Sequence, residues 1–158
     1  LATFVSLSAT SLYGTSWTGT GPGSGNPTPS GTVASSTDFS DHIKSVSISL
    51  DADEVDFTNF GAGGFKEMKT GLISASVSIT FFADYAASSV NTVMVPAILA
   101  RTLGYWDFKP TSSARAATNP SLVFALTPKK VPTAMAIGAA EECTVDFSIA
   151  GKYARLTS

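Results

Sequence analysis

Hydrophobic and polar positions alternate with a period of two along much of this chain. In IKSVSISL, Lys44, Val46, Ile48 and Leu50 fall on one side and Ser45, Ser47 and Ser49 on the other. In LISASVSITFF, Ile73, Ala75, Val77, Ile79 and Phe81 face one way, and Ser74, Ser76, Ser78 and Thr80 the other. Cys143, Val145, Phe147 and Ile149 alternate likewise with Glu142, Thr144, Asp146 and Ser148. Successive strand side chains point to opposite sides, so this pattern predicts sheets with one buried face. Further strands are predicted at ATFVSL (2–7), YWDFK (105–109), SLVFALT (121–127) and the closing KYARLT, with Pro110 and Pro128 as stops. Asp51-Ala52-Asp53 predicts a turn, because short Asp side chains bond their own backbone. A separate strand follows, in which Val55 and Phe57 alternate with Glu54, Asp56 and Thr58. The glycines at 61, 63 and 64 predict a mobile loop running to Gly71.

Between Asp84 and Leu103 the period lengthens. Ala86, Val90, Val93, Ala97 and Arg101 recur at steps of three or four, with Met94 and Ile98 widening the stripe. One helix is predicted there, capped by Ser88 or Ser89 and kinked or shortened by Pro96. From Gly14 to Thr37 the chain is almost entirely Gly, Ser, Thr and Pro, which buries too little to offset the entropy of ordering. That stretch reads as a flexible arm or long loop, or as an arm that orders only against a neighbouring subunit, with Trp17 as its anchor. The resulting organisation is an N-terminal strand and arm over 1–41 and a domain over 42–158. The fold class is mainly β, a sandwich or barrel with one flanking helix.

The 158 residues suffice for one domain. Charged residues make up only 14% and the net charge is −2, so no global basic field draws the chain to nucleic acid or membrane. No apolar run approaches the roughly 18 residues of a membrane span. Leu1 to Leu7 lack a signal peptide's basic start, and the missing initial Met reads as a trimmed or processed chain.

Candidate chemistry is sparse. His42 is the single histidine and reads as a surface or strand-edge residue; no nucleophile-elbow pattern accompanies it. One His and one Cys nearly exclude a zinc site. Asp51, Asp53, Glu54 and Asp56 suggest calcium by charge but lack the spacing of an EF-hand, so a turn and a solvated strand face fit better. Gly61-Ala62-Gly63-Gly64 before Lys66 fails the phosphate-loop pattern, and Lys69-Thr70-Gly71 matches a penicillin-binding motif by spelling alone. Cys143, Trp106 and Phe108 read as core. No enzyme, metal or cofactor is expected.

The polar strand faces are more informative. Glu54, Asp56, Thr58, Ser74, Ser76, Ser78, Thr80, Glu142, Thr144, Asp146 and Ser148 include four acids and no Lys or Arg. The bases instead fall mostly in loops or at element ends: Lys66, Lys69, Arg101, Arg115, Lys129 and Lys130. Such a surface lets a polyanion pass without sticking, because phosphate contacts would add affinity; chance also accounts for it where charges are so few.

SVSISLDADEVDFTNFG (45–61), Lys66, GLISASVSITFFADY (71–85), Asn119-Pro120 and the ending AAEECTVDFSIAGKYARLTS occur in the order seen in one family. From about Ile43 onward the chain resembles the tail tube (major tail) proteins of long-tailed, siphovirus-type bacteriophages. The resemblance implies a β-sandwich with a flanking helix, a fold shared with type VI secretion tubes. It implies sixfold rings stacked into a tube, with strands of all subunits joined in one β-barrel around a lumen for double-stranded DNA. On that footing Glu54, Asp56, Ser74, Ser76, Ser78, Thr80, Glu142, Thr144, Asp146 and Ser148 would line the lumen. The loop carrying Asn59, Phe60, Gly61, Gly63, Gly64, Phe65, Lys66 and Lys69 would join stacked rings, together with the N-terminal arm. The implied partners are further copies of the chain, other tail proteins (tape measure, tail terminator, baseplate) and DNA in transient passage. The implied location is the virion tail, after the host cytoplasm. A monomeric β-sandwich binding or adhesion module with a flexible linker is the alternative.

Overall fold

The structure, a computed structural model, describes residues 8–22, 30–61, 63–85, 87–130, 141–150 and 153–158. Among these are ten strands and one helix. The strands are β1 (Thr10–Gly14), β2 (Ser16–Thr18), β3 (Thr32–Ala34), β4 (Thr37–Asp38), β5 (Ile43–Asp56), β6 (Met68–Phe82), β7 (Gly104–Lys109), β8 (Ser121–Leu126), β9 (Glu142–Ser148) and β10 (Ala154–Leu156). The helix α1 spans Val90–Leu99. Two antiparallel sheets face one another, one ordered β10-β8-β7-β1-β4 and the other β5-β6-β9. This is the expected β-sandwich with one helix, and no barrel closes among the described residues.

The core lies between the sheets. Val77, Ile79 and Phe81 of β6 and Val145 and Phe147 of β9 meet Tyr13, Trp106, Phe108, Phe124 and Leu126 of the facing sheet. Each such fully buried apolar side chain is worth about 1.5–3 kcal/mol. Trp106 stacks on Phe108 at 5.3 Å and lies 4.9 Å from Tyr13, so rings dominate the middle of the sandwich. Helix α1 adds Val90 and Met94 to this core. Its cap is Ser89, whose hydroxyl accepts from the Thr92 N–H, and it ends three residues beyond Pro96.

Two expectations change. Asp51–Asp53 forms no turn: β5 runs through it as one strand, with Asp51 opposite Ser74 and Ala52 opposite Ile73. A ladder partner along this stretch outcompetes the local Asp turn. The Gly14–Thr37 stretch, expected as arm or loop, carries a small hairpin in its described part. β2 pairs with β3, the Trp17 indole N–H donates to the Ser30 carbonyl at 2.9 Å, and its ring packs on Tyr105. Gly31 sits at φ +100°, where an added Cβ would lie 1.6 Å from the Thr18 carbonyl, so the hairpin closes only with glycine there. β1 lies between β7 and β4, so Thr10–Gly14 and Thr37–Asp38 belong to the same sheet as the later strands β7, β8 and β10. The strand expected over 2–7 and Ala86 of the helical stripe fall outside the described residues.

One polar knot lies inside. Asp107 and Arg115 form a nearly buried ion pair at 2.7 Å, and Arg115 also donates to Ser121 and to the Gly31 carbonyl. Asn119 ties the loop before β8 by donating to the carbonyls of Ser113 and Ala114.

Candidate functional site: a hydroxyl face and a projecting hairpin

β5 and β6 form one long hairpin, and β9 pairs with β6 only from Ser76 to Phe82. The sheet therefore has two parts. Near the root its inner face is the core already described. Its outer face carries in-register rows: Ser45, Thr80 and Thr144; Ser47, Ser78 and Asp146; Ser49, Ser76 and Ser148. The Thr80 and Thr144 hydroxyls bond each other at 2.8 Å. Ser74, Ser76, Ser78, Thr80, Glu142, Thr144, Asp146 and Ser148 thus share one outward face.

Beyond Ser49 the hairpin leaves the body, and every described residue from Ser49 to Thr70 is exposed. The strand register shifts between Ala52 and Glu54: β5 advances two residues while β6 advances three, from Ile73 to Thr70. The extra residue in β6 is a bulge at Gly71–Leu72. Gly71 suits it, since a Cβ there would approach Val55 Cγ2 to 2.8 Å and the Asp53 carbonyl to 3.2 Å.

Register decides which side chains share the hydroxyl face. Along β5, Asp51, Asp53 and Val55 continue the side of Ser47 and Ser49. Glu54 and Asp56 continue the opposite side, that of Ile48 and Leu50, and pair with Thr70 and Met68. The sequence grouping of Glu54 and Asp56 with the hydroxyls assumed a turn at 51–53; without it, Asp51 and Asp53 take their place. Parity counted straight through DAD was the signal. Two bases also join this face. Lys44 falls at a second register shift, between Ile43 and Ser45, and its ammonium binds both Glu142 oxygens at 2.7 and 2.8 Å. The β6 bulge places Lys69 beside Val55, with its ammonium 5.0 Å above the Phe57 ring. Glu142 is therefore neutralised, while Asp51, Asp53 and Asp146 have no cationic partner among the described residues.

The tip spans 57–67. β6 already begins at Met68, so the loop stops short of Gly71, and Lys69 is a strand residue. Phe57 N–H donates to the Glu67 carbonyl, Asn59 accepts from Gly61 N–H, and Gly63 and Gly64 turn at φ +60° and +86°. Asp56 accepts from the Thr58 hydroxyl and N–H and pairs with Lys66 at 3.6 Å. The Thr58 hydrogen bonds hold its carboxyl below the usual 3.8, with Lys66 adding to the effect. Phe60 and Phe65 stand in solvent, as do Leu72 and Ile73 at 83% and 71% exposure.

No protein-family profile matches the chain, and no curated protein matches its sequence. Solved structures do match. A chain of the virion of a native gene transfer agent particle superposes with a TM-score of 0.53 at 17% identity, covering 72% of this chain and 84% of that one. A chain of the tail of an empty gene transfer agent particle, computed with helical refinement and C6 symmetry, gives the same score and identity over 72% and 81%. This chain shares the fold of those gene transfer agent chains.

The described residues contain no cluster of three His, Cys, Asp or Glu able to hold a metal. Beneath the outer edge of β5 lies an open groove of about 580 Å³, lined by apolar side chains including Ile43, Val46, Ile48, Leu50, Phe108 and Leu122. Leu50 belongs to both the groove and the hairpin, so the apolar surface runs continuously from one to the other.

Proposed function

We propose that this chain is the repeating structural subunit of a phage tail tube. Copies close into sixfold rings, rings stack, and the hydroxyl face of β5, β6 and β9 lines a conduit for double-stranded DNA. The projecting hairpin carries the reading. A two-stranded ribbon is marginal by itself in water, and this one exposes Leu50, Val55, Phe57, Phe60, Phe65, Met68, Leu72 and Ile73. An outer edge of fourteen residues on β5, unpaired among the described residues, invites another chain. Heterologous contacts between copies cover such surfaces and generate rings and filaments. The C6 symmetry of the gene transfer agent tail whose chain shares this fold supports the sixfold count.

On this reading the protein is non-enzymatic and resides in the virion tail, where it meets itself and the other tail components. The lining works chiefly through hydroxyls: Ser45, Ser47, Ser49, Ser74, Ser76, Ser78, Thr80, Thr144 and Ser148 offer DNA phosphates no fixed charge. Asp51, Asp53 and Asp146 repel them. Glu142, held by Lys44, contributes little repulsion, and Glu54 and Asp56 belong to the contacts between copies. The tip residues Asn59 to Lys66, with Lys69 beside them, meet the next ring.

Electron microscopy of concentrated protein tests the assembly: tubes or rings are expected. A sharp monomer peak in size-exclusion chromatography at every concentration would instead favour a monomeric binding module. For the lining, Ser76→Lys and Asp146→Lys should slow DNA exit from assembled particles while tubes still form. An unchanged ejection rate would remove this face from the channel.

A further inference from the structure

Both ring nitrogens of His42 face carboxylates. Nδ1 lies 2.5 Å from Asp41 and Nε2 lies 2.8 Å from Asp84. A neutral imidazole has one N–H and one lone pair, so it satisfies one of these carboxylates and turns a lone pair toward the other. Only the imidazolium donates to both. The side chain is 18% exposed, and the Phe39 ring packs edge-on to it at 6.1 Å. The sequence suggests a surface or strand-edge histidine, and His42 does stand at the entry to β5, with two carboxylate partners that the sequence does not reveal.

Its position gives the contact a mechanical meaning. Asp41 and His42 immediately precede β5, and Asp84 follows β6, so the pairing joins the entry and the exit of the long hairpin. The His42 carbonyl also accepts from Phe82 N–H at 2.8 Å, and its own N–H donates to the Phe39 carbonyl at 3.0 Å.

We propose that His42 is a proton-operated latch at the root of the hairpin. Charged, it ties the start of β5 to the end of β6; deprotonated, it releases one carboxylate and the root loosens. The ionisable groups on the adjoining elements are Asp38, Asp41, Lys44, Asp84, Tyr85, Glu141 and Glu142. Of these, Asp38 is held by Ser40, and Lys44 and Glu142 hold each other. Asp84 and Asp41 act on the imidazole directly.

Burial pulls the imidazole pKa down, but the hydrogen bonds and charges of Asp84 and Asp41 outweigh it, and the net shift is upward from 6.5. The stabilisation is therefore complete below the ordinary value and is lost as pH rises through the elevated one.

The chain holds a single histidine, so its ring signals can be titrated by NMR in the dilute subunit without ambiguity. The expected midpoint lies above 6.5 and moves down in Asp84→Asn. Over the same range, exchange of the Phe82 amide, corrected for intrinsic pH dependence, should accelerate severalfold in the wild type and stay flat in His42→Gln. A midpoint at or below 6.5 overturns the proposal and needs no variant to be measured. Equal pH response of wild type and His42→Gln overturns it as well. Neither readout involves rings or tubes, so the latch can fail while the tail-tube reading stands, and the reverse.

Discussion

The two halves of the β5–β6 hairpin obey the same alternation and share one ladder, yet they belong to different environments. At the root, Ile79 is fully buried, with β9 beside it and the aromatic sheet opposite. Six residues earlier, on the same side of the same strand, Ile73 is 71% exposed. The residue type and the face are identical; only the cover differs. An apolar face in a strand thus indicates that something will cover it, without saying whether the cover lies in the same chain. For the outer half no cover exists among the described residues, and under the proposed function another copy supplies it.

The comparison can be tested most severely by removing the tip. Deleting residues 61–69 should abolish tubes and leave soluble monomers or lone rings; long tubes in micrographs of the deletion would end the stacking role of the loop. Next, matched truncations should separate the halves. Ile79→Ala should cost about 2–5 kcal/mol in denaturant unfolding of the dilute subunit. Ile73→Ala should stay within about 0.5 kcal/mol there and weaken self-association instead. A large stability loss at Ile73 would mean that the outer half is covered within the subunit. Lys44→Gln, which cuts an exposed tie between β5 and β9, should cost no more than about 1 kcal/mol, with the loss shrinking in high salt. The smallest effect belongs to Asp56. Its folded pKa is depressed below 3.8, so the order it gives the tip is present above that value and is lost as pH falls through the folded one. Amide exchange at Thr58 should speed up there in the wild type but not in Asp56→Asn.

Much of the root was legible because its signals are local. Alternation places Val77, Ile79, Phe81, Val145 and Phe147 in the core directly, and of the two expected caps, Ser88 and Ser89, the second starts the helix. Signals set by a partner strand were not legible. The Asp-Ala-Asp run has a turn's composition but, with β6 opposite, becomes strand, which moves Asp51 and Asp53 onto the hydroxyl face and Glu54 and Asp56 off it. Lys44 looked like a member of the apolar side until a register shift turned it toward Glu142. Trp17 sits in a segment of loop composition, yet a hydrogen bond to Ser30 and a contact with Tyr105 hold it in place. Asp107 alternates with Trp106 and Phe108 yet is buried as they are, held by Arg115, a loop residue eight positions away.

The surplus residue at Gly71–Leu72 works as a phase slip between two otherwise commensurate strands. Upstream of it, odd and even positions of β6 trade sides. Excising one residue there would straighten the ladder and leave Lys69 beside Val55, whereas regular pairing that kept both residues would carry Lys69 to the opposite surface and bring Thr70 round in its place. The electrical character of that side of the ribbon thus depends on where one surplus residue is absorbed as much as on which side chains the strand carries.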